Sequence, residues 1–234
     1  MSKRRLFEDV FKRHSGYPAF KWKHYFEIYD GHIGKWQDLP VKILEIGVQR
    51  GGSLQIWREY LGLKAQVFGI DIDPRCKARE GERIEIFIGD QSDPDFLQSV
   101  GEAIGPVDII LDDGSHHMKD LTVSFLSLFK LVKPGGIYIA EDLHTCYWDG
   151  YGGGLRNPDS FIEKLKTVID DMHALHSKDL HTFRPSAFTH AVKAMHFYDS
   201  VAVIDKTQRI DLGAGRVDWP EEIRAGRKQN DKYF

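Results

Sequence analysis

From Val41 onward one rhythm recurs along the chain: a short apolar run rich in Val and Ile ends in acidic or glycine residues, and an amphipathic stretch follows. The runs are Val41–Ile46, Gln66–Ile70, Ile84–Ile88, Val107–Leu111 and Gly136–Ala140. Continuous runs of this kind suit parallel strands covered on both faces. The intervening stretches Ser53–Leu61, Asp95–Ile104 and Lys119–Leu131, with Asp159–Leu175 after the fifth run, then read as the covering helices. Lys133-Pro134-Gly135-Gly136 reads as a helix stop feeding the fifth strand. Late in the chain the order changes, because the strand-like runs Ala194–Tyr198 and Ser200–Asp205 meet at Asp199-Ser200, which predicts a hairpin. The fold class is therefore α/β: a doubly wound seven-stranded sheet, mostly parallel, finished by an antiparallel C-terminal hairpin.

Residues 1–40 differ from this pattern. They are aromatic and cationic, with Phe20, Trp22, His24, Tyr25, Phe26, Tyr29, His32 and Trp36, and read as a helical cover over the sheet. Structural packing is the first expectation for Tyr25 and Tyr29. The segment 221–234 is a charged tail, which leaves 41–220 as the main domain. Lys and Arg number 32 against 35 Asp and Glu, so no bulk positive field is available to hold a nucleic acid, and no nucleic acid partner is expected. The two cysteines, Cys76 and Cys146, make neither a disulfide framework nor a zinc site, which predicts a reducing, cytoplasmic setting. The stretch Leu6–His14 lacks the apolar core of a signal peptide. No run approaches the roughly 18 apolar residues that span a bilayer, so a soluble protein with no membrane partner is expected.

In a doubly wound sheet a ligand sits at the carboxyl ends of the strands, so the residues just after each apolar run carry the chemistry. After the first strand, Glu45-Ile46-Gly47-Val48-Gln49-Arg50-Gly51-Gly52-Ser53 is a glycine turn opening a helix, with Ser53 as a plausible cap. The second strand ends at Asp71, where an acid can meet the two hydroxyls of a ribose, and the third ends at Asp90, which can meet an adenine. Together these ends describe a pocket for an adenosine cofactor. Taken singly, each is equally at home as a solvated loop residue.

Over about Val41 to Lys206 the sequence resembles the class I S-adenosylmethionine-dependent methyltransferases. The resemblance implies a Rossmann-like sheet with this same antiparallel ending. It departs at Gln49, where the family's turn has its middle glycine. The likeness is greater to one subgroup, the metal-dependent sugar O-methyltransferases of macrolide and rhamnosyl tailoring and the cephalosporin hydroxylase-like proteins. Three strings carry it: Glu45–Ser53, Asp112-Asp113-Gly114-Ser115-His116-His117, and Glu141-Asp142-Leu143-His144-Thr145-Cys146-Tyr147-Trp148. The cofactor residues are then Glu45, Gly47, Gly51, Ser53, Asp71, Asp90 and Asp112.

Strands four and five are neighbours in this topology, so Asp113, Glu141 and Asp142 converge, and three carboxylates so close repel unless a cation lies between them. All-oxygen donors favour a hard divalent ion, Mg²⁺ first. The resemblance assigns a metal to the same three residues. The alternative is that they cap helices and pair with Lys or Arg. His116 follows Asp113 by three residues and matches the general base of the resembling sugar enzymes, with His144 as the second candidate base and His117 as packing. The loop Tyr147–Gly154 joins aromatics suited to sugar rings with glycines that would let it close.

The implied function is divalent-metal-dependent O-methylation of a hydroxyl on a sugar, oligosaccharide or glycosylated metabolite by a homo-oligomeric enzyme. The same chemistry on a catechol or a hydroxylated β-lactam is the alternative. A non-catalytic cofactor-binding protein is the alternative of another class. A nicotinamide oxidoreductase would want a Gly-x-Gly-x-x-Gly turn, which is absent.

Overall fold

The structure, a computed structural model, describes residues 4–209. The tail 221–234 and the last residues of the expected main domain lie outside them. Seven strands, β1 (Lys42–Ile46), β2 (Gln66–Asp71), β3 (Ile84–Ile88), β4 (Val107–Asp112), β5 (Val132–Ala140), β6 (Val192–Tyr198) and β7 (Val201–Lys206), form one sheet in the order β3-β2-β1-β4-β5-β7-β6. β1 to β5 are parallel, whereas β7 runs antiparallel to β5 and to β6. The expected hairpin is present, turning at Asp199-Ser200 with Ser200 in the left-handed region (φ 66°).

Alternate residues of each strand enter two cores, which is why the runs read as continuously apolar. Ile43, Val67, Ile86, Ile109, Leu111, Ile137 and Ile139 face one side, packed by α1 (Phe7–Arg13), α2 (Tyr25–His32) and α3 (Gly52–Leu61). Leu44, Ile46, Phe68, Ile70, Ile110, Tyr138 and Ala140 face the other, under α4 (Pro94–Ile104), α5 (Met118–Leu128) and α6 (Phe161–His173). A short α7 (Ala187–Ala191) leads into β6.

Two boundaries move for local reasons. The strand assigned to Gly136–Ala140 begins at Val132, because Lys133–Gly136 forms an irregularity within the β4–β5 ladder and not a separate stop. The helix expected to reach Leu131 ends at Leu128 and tightens into a 3-10 turn, Phe129–Leu131.

The N-terminal residues share the first core with the sheet. Phe7 is buried against Tyr29, Trp57 and Tyr60, with ring centroids 4.7, 4.8 and 5.3 Å away. Between α1 and α2 the chain crosses the start of α3, and a Cβ on Gly52 would lie 2.2 Å from the Tyr17 carbonyl oxygen. Glycine at that point lets the crossing segment lie against the helix, and the segment then passes over the carboxyl ends of the strands. Among the described residues no helix is long and apolar enough to cross a membrane.

Candidate active site

The strand order reverses between β1 and β4, and the crevice this opens at their carboxyl ends is a cavity of about 490 Å³. Its walls include Gly47–Arg50 after β1, Asp71 after β2, Asp90 and Gln91 after β3, Asp113–His116 after β4, and Glu141 and Asp142 after β5, together with Pro18–Trp22 of the N-terminal segment.

Gly47 has φ 94° and no room for a side chain, since a Cβ there would sit 2.1 Å from the Asp113 carbonyl oxygen. Gln49, at the position where the family has a glycine, adopts the left-handed conformation (φ 51°) that a glycine would take without strain. The turn is held from β2: Asp71 Oδ2 accepts the Val48 and Gln49 amides at 2.9 and 2.7 Å, and Oδ1 accepts the Asp73 amide at 2.8 Å. A carboxylate has about four acceptor sites, so Asp71 organises the turn and keeps capacity for a ligand hydroxyl. Asp90 is exposed at the rim, with Oδ1 taken by the Ser92 amide.

Of the other residues expected around the cofactor, Glu45, Gly51 and Asp112 lie outside the cavity lining. Glu45 is fully buried and accepts the Ser53 hydroxyl at 2.7 Å, so Glu45 and Ser53 form a pair of which only Ser53 reaches the lining. Gly51 caps α3 beside Arg79. Asp112 turns into the sheet, where it accepts the Tyr138 hydroxyl at 2.7 Å and lies 3.4 Å from the Gln91 amide nitrogen. Burial pushes its carboxyl up to about 7. Neighbouring residues of a strand point to opposite faces, so only one of Asp112 and Asp113 can face the crevice.

The β4 and β5 ends do bring carboxylates together, in two groups. On the outer side His116 Nε2 lies 3.8 Å from Asp113 Oδ1 and 3.6 Å from Asp142 Oδ2. The ligating atoms of these three residues all lie within 4.8 Å of one another. On the inner side stands a residue the sequence reading missed. Lys21 Nζ, almost fully buried, donates to Asp113 Oδ2 at 2.6 Å, Glu141 Oε2 at 3.0 Å and Glu45 Oε1 at 3.2 Å. Burial opposes its charge, but Asp113, Glu141 and Glu45 outweigh burial and hold the ammonium above the usual lysine range. Burial pushes Glu141 up, with Lys21 opposing. Glu141 also accepts from the Tyr29 hydroxyl, and Asp142 accepts from that of Tyr25 at 2.7 Å. The two tyrosines expected to pack therefore also pin the acids.

The backbone is strained at this spot. His116 (φ 59°) and Asp142 (φ 55°) are non-glycine residues in the left-handed region, as Gln49 is, and all three line the cavity. Such conformations cost on the order of 1–3 kcal/mol each and concentrate at functional sites. His116 Nδ1 is buried without a partner. His144 lies outside the lining, bonded through Nδ1 to Ser200 Oγ at 2.5 Å and against Trp148 with ring centroids 4.8 Å apart. His117 packs on Tyr151. Phe20, Trp22, Tyr147 and Trp148 are exposed, and Phe20 and Trp22 belong to the lining.

No family model matches the sequence. An 8-demethyl-8-alpha-L-rhamnosyl tetracenomycin-C 2'-O-methyltransferase of Streptomyces olivaceus is 34% identical over 202 residues, 82% of this chain and 52% of that protein. Demethylmacrocin O-methyltransferase of Streptomyces fradiae is 34% identical over 211 residues, 85% of this chain and 53% of that protein. The solved structure of the MycE methyltransferase from the mycinamycin biosynthetic pathway, in complex with Mg, SAH and mycinamycin VI, superposes with a TM-score of 0.81 at 29% identity. The match covers 97% of this chain and 60% of that one. Over most of its length the chain is similar in sequence to these sugar O-methyltransferases, and it has the fold of the MycE methyltransferase. It spans about half the length of these sugar O-methyltransferase relatives. Asp71, which holds the glycine turn, is the residue to test first. Asp71→Ala is expected to weaken S-adenosylmethionine binding by about 1–3 kcal/mol, through loss of a carboxylate acceptor in the cavity and of the turn it holds. Calorimetry that finds unchanged affinity in a folded variant removes Asp71 from cofactor binding.

Proposed function

We propose that this chain is an S-adenosylmethionine-dependent, divalent-metal-dependent O-methyltransferase acting on a hydroxyl of a sugar, oligosaccharide or glycosylated metabolite. The observation that carries the proposal is the meeting of Asp113, His116 and Asp142 at the β4 and β5 ends, opposite the glycine turn and Asp71 in one cavity.

The residues fit both groups the family uses. A cavity of about 490 Å³ is within the usual range for cofactor-sized ligands, about 300–1,000 Å³. The acid cluster already attracts a cation, since the Lys21 ammonium rests in it. Asp113 and Asp142, with Glu141 beside them, would hold the divalent ion, and Mg²⁺ suits an oxygen donor set. When bound, such an ion lowers the pKa of a nearby hydroxyl, and S-adenosylmethionine supplies a methyl on a good leaving group.

The remaining work falls to the chain. His116 Nε2 faces the acids and is placed to take the hydroxyl proton. Tyr25 and Tyr29 fix the carboxylates, and the segment Pro18–Trp22 limits access of water. The exposed rings of Phe20, Trp22, Tyr147 and Trp148 offer faces to a sugar ring near the mouth. The acceptors in the names of the sugar O-methyltransferase relatives, rhamnosyl tetracenomycin and macrolides, favour this class over a catechol or β-lactam. The presence of the acids and His116 together in the cavity speaks against a non-catalytic protein. Cys76 and Cys146 are free and buried, in keeping with a cytoplasmic setting, and sedimentation velocity tests the expected homo-oligomer.

A screen of sugars, glycosides, oligosaccharides and catechols with labelled cofactor, with and without Mg²⁺, is expected to label a glycoside only when the metal is present. Mass spectrometry of the product locates the methyl. Labelling of catechols alone, or of nothing under conditions where cofactor binds, refutes the reading.

A further inference from the structure

Lys21 donates all three of its N–H bonds to carboxylates, one each to Asp113, Glu141 and Glu45, so its ammonium fills the inner half of an oxygen cage. Two of those partners, Asp113 and Glu141, are among the acids that would hold the divalent ion. The third, Glu45, is buried behind the cavity wall and tied to Ser53. Lys21 comes from the segment that crosses the strand ends, within the cavity lining at Pro18–Trp22. A unit positive charge within hydrogen-bond distance of Asp113 and Glu141 repels a second cation placed on the same oxygens, and burial leaves that repulsion poorly screened.

We propose that Lys21 is a built-in competitor of the divalent ion: its ammonium holds Asp113 and Glu141 until metal arrives, and metal binding requires it to withdraw from them onto Glu45. The crossing segment thereby senses metal occupancy, because its one buried anchor in the acid cluster loosens as the ion enters. The inference rests on the proposed metal site and goes beyond it in giving that site an internal rival and a mechanical link to the cavity mouth.

The test uses the full chain, stripped with chelator and titrated with Mn²⁺ alone, the free ion being read by electron paramagnetic resonance. Lys21→Gln and Lys21→Met are expected to bind Mn²⁺ at least tenfold more tightly than the parent protein. Lys21→Arg, which keeps the charge, is expected to stay within about threefold of it. Parental or weaker affinity in folded Lys21→Gln and Lys21→Met overturns the inference and leaves the metal site standing. No Mn²⁺ binding by any of the proteins overturns the metal reading and the inference with it. Asp113→Asn locates the ion: it is expected to abolish binding, and unchanged binding would put the ion elsewhere, for instance at His32, His196 and Asp205, which also present ligands within 4.8 Å of one another, and would overturn the inference. Should the Lys21 variants fail to fold, hydrogen exchange on the parent protein decides. Saturating Mn²⁺ is expected to speed amide exchange across residues 18–24, and unchanged or slower exchange there refutes the coupling.

Discussion

Replacing His116 with alanine is expected to cut turnover by about 10²- to 10⁴-fold, the range for loss of a general base, while the fold and S-adenosylmethionine affinity persist. The geometry supports the choice of His116. Nε2 looks toward Asp113 and Asp142 across 3.8 and 3.6 Å, in the cavity, whereas His144 is held by Ser200 outside its lining. The loss should shrink as pH rises, because the acceptor hydroxyl then ionises with less help. His116 also stands where it can ligate an ion, and Mn²⁺ affinity separates the two roles: a base leaves the affinity within a few-fold, a ligand does not. His144→Ala should cost less, mainly in acceptor KM. Abolished turnover in His144→Ala, with His116→Ala within a few-fold of the parent, would reverse the assignment.

Exhaustive chelation is expected to remove methyl transfer altogether, and added Mg²⁺ to restore it. Asp142→Asn should come close to the chelated state even with Mg²⁺ present. Asp142 accepts from Tyr25 and faces His116, so losing its charge weakens the outer group at its most accessible member without touching the Lys21 contacts. Restoration by Mg²⁺ and failure of Asp142→Asn, measured with the same acceptor, together support the metal site. Full turnover by the chelated protein would take the metal out of the mechanism.

Several elements were legible because their signals are local. The alternation of apolar runs and amphipathic stretches follows from two-sided burial of parallel strands, and the five runs became β1 to β5 with only end shifts. The turn at Asp199-Ser200 reported the hairpin through the same short-range logic. Acids after strands could be placed at the crevice because strand ends and crevice coincide in a doubly wound sheet.

What the sequence by itself determined was thus the sheet, its antiparallel ending and the neighbourhood in which chemistry gathers. The tertiary structure decided which side chains of that neighbourhood face each other. Asp112 and Asp113 are adjacent and chemically identical, and only the pleat and register of β4 against β5 turn one into the sheet and the other into the cavity. The sequence ranks His116 ahead of His144 as the base without placing either, and the left-handed backbone at His116 and the hairpin hydroxyl of Ser200 separate them in space. Lys21 lies 92 residues from Asp113 and 120 from Glu141, in a segment that reads as aromatic cover, so no local pattern announces it. Its place is set by where the crossing segment is pinned against α3, and electrostatics acts on distance in space, which a linear sequence does not contain.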